Sequence, residues 1–139
     1  MPRKVAVIGT GQTKTAMRRT DVDFPGLVRE AITAALEDAG ITMKDVDAVV
    51  FGSSPEYFEG INNPEKWCLD ASGGFMKPQF RIHTGGTVGA STGIGGYYHV
   101  ASGMYDVVLA VTGDKLSEGE GLNKLFPVYY RIFGRDLAS

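Results

Sequence analysis

A glycine-rich run constrains this chain more than any other feature, because it falls where a predicted strand gives way to a predicted helix. Residues 85–96 include six glycines in twelve positions. Each glycine in a helix interior costs about 1 kcal/mol relative to alanine, so tertiary contacts must offset several kcal/mol. Gly89, Gly93 and Gly96 recur at helical spacing, which predicts one glycine face packed closely against a second helix. A helix start without side chains also brings backbone amides close to a ligand, and the two explanations are compatible.

Strands alternate with helices along the sequence, which predicts an α/β fold. Short apolar runs predict strands at residues 4–8, 48–52, 79–84 and 106–112. The last run is apolar throughout, so we expect it in the centre of the sheet. Asp23 and Gly40 bound a clear amphipathic helix as its cap and its stop, and the glycine-rich run predicts a second helix over residues 86–104.

Composition and length limit the class of protein. A chain of 139 residues predicts one domain over residues 1–139, with a long loop at 53–78 that is functional or contains short helices. The net charge of −2 argues against nucleic-acid binding, and no run approaches the roughly 20 apolar residues that span a membrane. A single cysteine, Cys68, and a first apolar run too short for a signal peptide predict a cytoplasmic protein.

The glycines after the first predicted strand suggest a dinucleotide site, which is the weaker of two interpretations. Gly9 and Gly11 match the start of the fingerprint, but Lys14 occupies the place of its third glycine. The second strand also ends without an acidic residue for a ribose. A glycine turn that leaves the strand explains the same residues without a ligand.

Four segments resemble the N-terminal half of the thiolase superfamily in their order and spacing, and most of all its lipid-transfer-protein and non-condensing, acetyl-CoA acetyltransferase-like branch. They are residues 4–9, 27–31, 47–52 and 103–110. The resemblance implies a thiolase-like α/β fold, N-terminal half, with a mixed sheet and a buried glycine-rich helix. It also implies a coenzyme A thioester as substrate, no cofactor, a homodimer formed through the strand at 79–84, a possible OB-fold partner protein and a C-terminal half.

The family's nucleophilic cysteine opens a Cys-x-x-Gly motif at the start of the buried helix. Two registers are conceivable here, one that begins at Gly86 and one that begins at Ala90. The spacing to Asp106 fits the family's helix length only from Gly86, which therefore occupies the cysteine position. Neither register holds a cysteine, and we expect Cys68 to be a structural residue because free cysteines are usually buried.

Without a thiol, the remaining candidates are a hydroxyl, an imidazole and backbone amides. The candidate catalytic residues are His83, Gly86 and Thr87, and the candidate substrate-binding residues are Gly85, Gly86, Val88 and Gly89. Thr87 acts as a nucleophile only with a base nearby, for which His83 is the candidate; we expect His99 to be a packing or surface residue. No metal site is predicted.

The resemblance implies an acyl-CoA-handling protein of the aldolase type (retro-aldol C–C cleavage) or the acyltransferase type once a C-terminal half completes it. The chain alone is predicted to be inactive. A non-catalytic acyl-CoA or lipid carrier, or a subunit of a complex, is the alternative.

Overall fold

The computed structural model describes residues 3–53 and 62–115, in which a three-stranded parallel sheet lies between helices. The elements in chain order are α1 (Phe24–Ala39), β1 (Ala48–Gly52), α2 (Pro64–Trp67), β2 (Gln79–Ile82), α3 (Val88–Ala101) and β3 (Val108–Thr112). Single 3-10 turns, Met43–Asp45 and Gly85–Thr87, precede β1 and α3. The α/β prediction is confirmed. Where the resemblance implies a mixed sheet, the three described strands are all parallel.

The strand order is β2-β1-β3, so β1 is central. All five residues of β1 are buried, whereas Ala110 and Thr112 of β3 are exposed. The prediction that the strand at 106–112 is central is therefore wrong within the described sheet. The apolar composition of residues 106–112 indicated burial. In the described sheet, however, β3 is buried only where helices cover it, because it has no strand on its outer side.

Helix α1 forms as its local signals predict. Asp23 caps it by accepting a hydrogen bond from the Gly26 amide at 2.8 Å, and Gly40 ends it with φ of +67°, a conformation that favours glycine. Its buried face packs on the sheet, where the rings of Phe24 and Phe51 meet edge to face at 6.4 Å. Burial of such a side chain contributes about 1.5–3 kcal/mol, so this face anchors the helix.

Residues 4–8 form no strand, so the prediction of a first strand there is wrong. The segment has no ladder with any described strand, and Val7 and Ile8 are 83% and 58% exposed. The start of the segment is held at the carboxyl end of α3, where the Arg3 amide donates to the Ala101 carbonyl oxygen at 3.2 Å. An apolar run becomes a strand only when a neighbouring strand takes up its backbone groups.

The glycines that follow this segment serve close packing on α1. A Cβ on Gly9 would lie 2.6 Å from the Cβ of Ala39, and a Cβ on Gly11 would overlap the α1 backbone at Ala31. The Thr10 amide donates to the Asp38 carboxylate at 2.8 Å. These contacts explain the glycines without a nucleotide.

The carboxylate of Asp47 ties the start of β1 to the start of β3. One of its oxygens accepts hydrogen bonds from the backbone amides of Asp106 and Val107, both at 2.9 Å. The Asp47 amide in turn donates to the Val107 carbonyl oxygen at 2.9 Å. The hydrogen bonds from Val107 and then Asp106 hold the pKa of Asp47 below its usual value, because they stabilise the charged form.

Helix α3 packs on the sheet through two of its glycines. A Cβ on Gly95 would lie 3.3 Å from the Val50 side chain, and a Cβ on Gly96 would lie 3.2 Å from the Ala110 Cβ. Gly93 instead faces open space. The predicted face shared by Gly89, Gly93 and Gly96 is therefore split, and its packing partner in the described residues is the sheet and not a second helix.

The outer face of α3 is exposed, so the helix is not buried on both sides within the described residues. Ile94, Tyr97 and Tyr98 are 53%, 47% and 65% exposed. The resemblance implies a fully buried helix, and in a complete thiolase-like fold a second layer would cover this face.

The predicted loop at 53–78 is described at Ser53 and from residue 62 onwards, and the predictions for residues 54–61 and for the chain beyond 115 lie outside the described residues. The second part of the loop contains α2, as we expect of so long a connection. Cys68 follows α2 and is completely buried in the core beside Phe24 and Phe51. Its prediction as a structural residue is confirmed.

Candidate active site

The carboxyl ends of the three strands meet at one edge of the sheet, which is where open parallel sheets bind ligands. The chain leaves this edge at Ser53, His83 and Gly113. Backbone hydrogen bonds continue past the strand ends, from the Gly113 amide to the Gly52 oxygen at 3.2 Å and from the Ser53 amide to the Ile82 oxygen at 3.4 Å. Hydrogen bonds between the strands therefore hold the backbone at this edge in place, and a site here is built on a fixed backbone.

The turn that leads into α3 starts at this edge. Some of its polar groups form hydrogen bonds within the turn itself. Gly85 has φ of +60°, which explains a glycine there. The amide and hydroxyl of Thr87 donate to the Thr84 oxygen at 3.4 and 2.9 Å, and the Val88 amide donates to the Gly85 oxygen. The amides of Thr87 and Val88 thus belong to the turn and are not available to a substrate in this conformation.

Gly86 lies at the most open point of the turn. Apart from its chain neighbours, no heavy atom of the described residues lies within 4 Å of the place where its Cβ would be, so a side chain or a substrate atom fits there. Gly89 is one turn further along, and its Cβ position is 3.9 Å from the Thr112 side chain. Val88 between them is buried, whereas Gly86 and Gly89 are exposed and accessible to a ligand.

The structure does not join His83 to Thr87. The Thr87 hydroxyl donates to the Thr84 oxygen instead, and no hydrogen bond links the two side chains in residues 3–53 and 62–115. His83 is exposed at the end of β2. A base–nucleophile pair made of these residues stays a prediction, as do the roles of the surrounding glycines.

His99 has a packing role, as predicted. Its Nδ1 lies 2.7 Å from the Gly95 carbonyl oxygen, which accepts a hydrogen bond in the tautomer that protonates Nδ1. The ring meets Phe80 edge to face at 4.9 Å and stacks on Tyr105 at 5.8 Å. These contacts lie away from the turn at Gly86 along α3.

One polar residue of the edge is absent from the predicted site. Ser53 is completely buried, and its hydroxyl oxygen has no hydrogen-bond partner in the described structure. A buried polar group without a partner costs about 1–3 kcal/mol, so such residues call for an explanation. Its place directly after an all-apolar run was the available signal, because polar residues after parallel strands gather at the ligand-binding edge.

A separate open pocket of about 520 Å³ lies beside the start of α1 and is lined by Thr20, Asp21, Val22, Asp23 and Lys115. Its charged groups are engaged within the protein. Arg19 binds the Asp21 carboxylate at 2.8 Å, and this hydrogen bond lowers the pKa of Asp21 to about 2. Lys115 donates to the Val22 oxygen and Asp23 caps α1. This pocket lacks the geometry of a reactive site.

The described ranges, residues 3–53 and 62–115, contain neither a metal-binding cluster nor a membrane-spanning helix. No cluster of three or more His, Cys, Asp or Glu side chains there could hold a metal ion. No helix in those ranges is both long and apolar enough to cross a membrane.

Comparison with known families settles the relationship of this fold. A model of the thiolase N-terminal domain matches residues 5–127, which include β1 to β3 and the turn at Gly86. The chain belongs to the thiolase family. The resemblance inferred from the sequence is therefore confirmed.

Relatives within the thiolase family have two kinds of name. The chain is 33% identical over 117 residues to an acetyl-CoA acetyltransferase of Methanothermobacter thermautotrophicus, which covers 84% of this chain and 30% of the relative. It is 27% identical over 135 residues to non-specific lipid-transfer protein-like 2 of Caenorhabditis elegans, which covers 96% of this chain and 32% of the relative. The chain thus spans about a third of the length of these relatives.

A solved structure supports the thiolase-like fold. The 3-oxoacyl-[acyl-carrier-protein] synthase III of Aquifex aeolicus VF5 matches with a TM-score of 0.58 and 17% identity, over 73% of this chain and 33% of that one. At this identity the likeness concerns the fold alone. It again places the chain in one part of a larger architecture.

Proposed function

We propose that this chain forms the N-terminal part of a thiolase-family protein that acts on acyl-CoA thioesters, and that its reaction is retro-aldol cleavage of a carbon–carbon bond. The observation that supports this is the open space at the Cβ position of Gly86 in the described structure, the residue that we predict to occupy the family's cysteine position. The only cysteine in the sequence, Cys68, is buried in the core. Acyl transfer through an acyl-enzyme needs a nucleophile at the turn, whereas retro-aldol cleavage needs only a base and a site for the enolate.

The proposed reaction starts from a β-hydroxyacyl-CoA. A base takes the proton of the β-hydroxyl, the bond between the α and β carbons breaks, and a carbonyl forms at the β carbon. The electron pair passes into the thioester as an enolate, which takes a proton to give a shorter acyl-CoA. The amino end of α3 stabilises the enolate oxygen through its dipole, His83 is the candidate base, and further acid and base groups come from a C-terminal half.

A non-catalytic acyl-CoA or lipid carrier is the second candidate. The Thr87 hydroxyl already donates to Thr84 at 2.9 Å, which counts against the acyltransferase form with Thr87 as nucleophile. A carrier needs the open turn at Gly86 and no reactive group. Binding without turnover distinguishes it from the aldolase.

The same proposal includes a cytoplasmic homodimer and an OB-fold partner protein. The homodimer is supported by β2, which is an edge strand of the described sheet and whose Phe80 is 55% exposed. Unpaired edges with apolar side chains are suited to pairing with another chain. The partner protein rests on the family resemblance alone.

Binding of acetyl-CoA, measured by isothermal titration calorimetry, tests the site. Gly86→Leu fills the open position and is expected to weaken binding at least tenfold, which corresponds to about 1.4 kcal/mol. Gly93→Leu is the matched control, because Gly93, in the helix that follows the turn, also faces open space in the described structure. Equal binding by the parent and Gly86→Leu would place the ligand elsewhere.

Turnover tests the reaction. The complete protein, with its C-terminal half present, is incubated with a β-hydroxyacyl-CoA, and release of the carbonyl product is followed together with the shorter acyl-CoA. Equal amounts of the two products support retro-aldol cleavage. Binding without products favours the carrier, and a covalent acyl-enzyme found by mass spectrometry would contradict the proposed mechanism.

A further inference from the structure

Ser53 and His83 face each other across the carboxyl edge of β1 and β2. The two strands pair Phe51 with Arg81 and Gly52 with Ile82. The next step of this register matches Ser53 with His83, and the hydrogen bond from the Ser53 amide to the Ile82 oxygen shows that the ladder continues to this step. Neighbouring strands lie about 5 Å apart, so the two residues are close enough to interact.

Alternation along the strands puts both residues on the same face. Ile82 and Gly52 face α3, since Ile82 lies where a Gly95 side chain would be, and Thr92 lies where a Gly52 side chain would be. The following residues, Ser53 and His83, therefore belong to the opposite face, together with Phe51.

The two side chains differ in exposure in a way that suggests a division of roles. Ser53 is completely buried and its hydroxyl has no partner in the described structure, whereas His83 is exposed. A buried hydroxyl cannot reach a substrate itself, but it can hold a neighbour that does. Ser72 provides the contrast, because it is equally buried and its hydroxyl donates to the Leu69 oxygen at 3.1 Å.

We propose that Ser53 is a positioning residue for His83. After a rotation of one side chain, the inner ring nitrogen of His83 donates its hydrogen to Ser53 Oγ. The outer ring nitrogen then keeps its lone pair and points away from the sheet edge, where a substrate proton can reach it. This inference rests on the proposed function, in which His83 is the base, and it accounts for the buried hydroxyl that the fold leaves unpaired.

Nitrogen-15 NMR of the imidazole rings in the complete protein tests the pair. The 139-residue sequence includes two histidines, so His83→Gln and His99→Gln assign their ring signals. The parent is expected to show one dominant His83 tautomer at a fixed pH above 8. Ser53→Ala is expected to change the tautomer ratio by about twofold or more, Ser53→Thr to restore it, and His99 to be unaffected.

Thermal unfolding separates positioning from a structural role. Ser53→Ala is expected to unfold at the parent's temperature or higher, because the one hydrogen bond that it removes holds an exposed ring, and burial of the hydroxyl itself is costly. Ser72→Ala is expected to lower the unfolding temperature by about 3 °C while His83 keeps its tautomer. A loss of stability in Ser53→Ala with no change at His83 would overturn the proposal.

Acetyl-CoA titrated into the same samples distinguishes failure of this inference from failure of the proposed function. If the parent binds acetyl-CoA and the His83 tautomer is identical in the parent and Ser53→Ala, with and without ligand, the pairing is wrong and the function stands. If acetyl-CoA does not bind but Ser53→Ala changes the tautomer, the pairing stands and the function fails.

Discussion

At the start of α3, the absence of one side chain decides which chemistry is available. Gly86, in the turn before α3, has no described side chain or backbone atom from elsewhere in the chain within 4 Å of its Cβ position, and the same is true of Gly93 within the helix. Both positions therefore accept a cysteine without steric conflict. They differ in their distance from the amino end of α3, where the helix dipole favours an anion.

Gly86→Cys is expected to give a more reactive thiol than Gly93→Cys. The amino end of the helix lowers the thiol pKa, so alkylation by iodoacetamide near pH 7 should be roughly fivefold faster at Gly86. Mass spectrometry of time points measures the rate. The alkylation rate of the buried Cys68 in the parent gives the background rate. Equal rates at the two introduced cysteines would show that the amino end of the helix does not lower the thiol pKa.

The individual residues of the site show what a sequence can and cannot reveal. The prediction that Gly86 occupies the family's cysteine position rests on motif order and spacing, both of which are linear properties of the chain. The unpaired hydroxyl of Ser53 and the occupied hydroxyl of Thr87 do not, because each depends on which strand or turn atom lies opposite. Hydrogen-bond partners belong to tertiary structure, and spacing alone does not determine them.

At the scale of elements, α3 has one face that requires glycine and one that does not. Gly96→Leu is expected to lower the free energy of unfolding by about 1–3 kcal/mol, because its side chain would push α3 away from Ala110. Gly93→Leu is expected to leave stability unchanged or to raise it, since leucine favours helix more than glycine does. Urea unfolding measures both, and equal effects would contradict the packing of α3 on β3.

The link between β1 and β3 through Asp47 predicts a dependence on pH. The hydrogen bonds hold the folded-state pKa of Asp47 below its usual value, so the carboxylate stabilises the fold above that usual value, near pH 4. The contribution is lost as the pH falls through the lowered pKa. Asp47→Asn is therefore expected to lower the unfolding temperature at pH 7 and to differ less from the parent as the pH falls below about 4.

Asp70→Asn is the control for that experiment. Asp70 is likewise a carboxylate with a polar partner, because it contacts Arg29 at 3.0 Å, but its side chain is 93% exposed. Exposed pairs of this kind contribute little, so this variant should follow the parent at every pH. If Asp47→Asn lowers the unfolding temperature by the same amount at pH 7 and pH 3, the charge of Asp47 does not contribute to the stability of the fold.

Elements whose signals are local were predictable, and elements that need a distant partner were not. Helix α1 has its cap, its apolar stripe and its glycine stop within one continuous segment, and its predicted limits agree with the structure. The apolar run at residues 4–8 has the composition of a strand, but the described structure has no strand beside it. The order of the strands depends likewise on long-range pairing, so the expectation of a central β3 was wrong.

At the scale of the whole molecule, the chain corresponds to about a third of its relatives. The purified 139-residue chain is expected not to catalyse thiolysis of acetoacetyl-CoA, because position 86 is a glycine and the chain spans about a third of the length of its relatives. A thiolase run in parallel validates the assay, which follows the disappearance of the substrate. Turnover by the chain alone, above the level of a heat-denatured sample, would contradict this expectation.

The proposed dimer also belongs to this scale. Phe80→Lys places a charge on the edge strand β2, on the face where Phe80 contacts His99, and is expected to weaken self-association at least tenfold, as measured by analytical ultracentrifugation. Val7→Lys is the control, since Val7 is even more exposed and lies outside the sheet. If the parent stays monomeric at high concentration, the proposal that the edge of β2 forms a dimer surface is wrong.

The central position of β1 has a consequence for how the protein is made. Val50 pairs with Phe80 on one side and with Ala110 on the other, so the innermost strand is synthesised long before either neighbour. On the ribosome, an apolar strand with two unpaired edges must therefore wait for most of the described chain to emerge. Such a nascent chain is a natural client for chaperones, and translational pauses placed before β3 would lengthen that exposure.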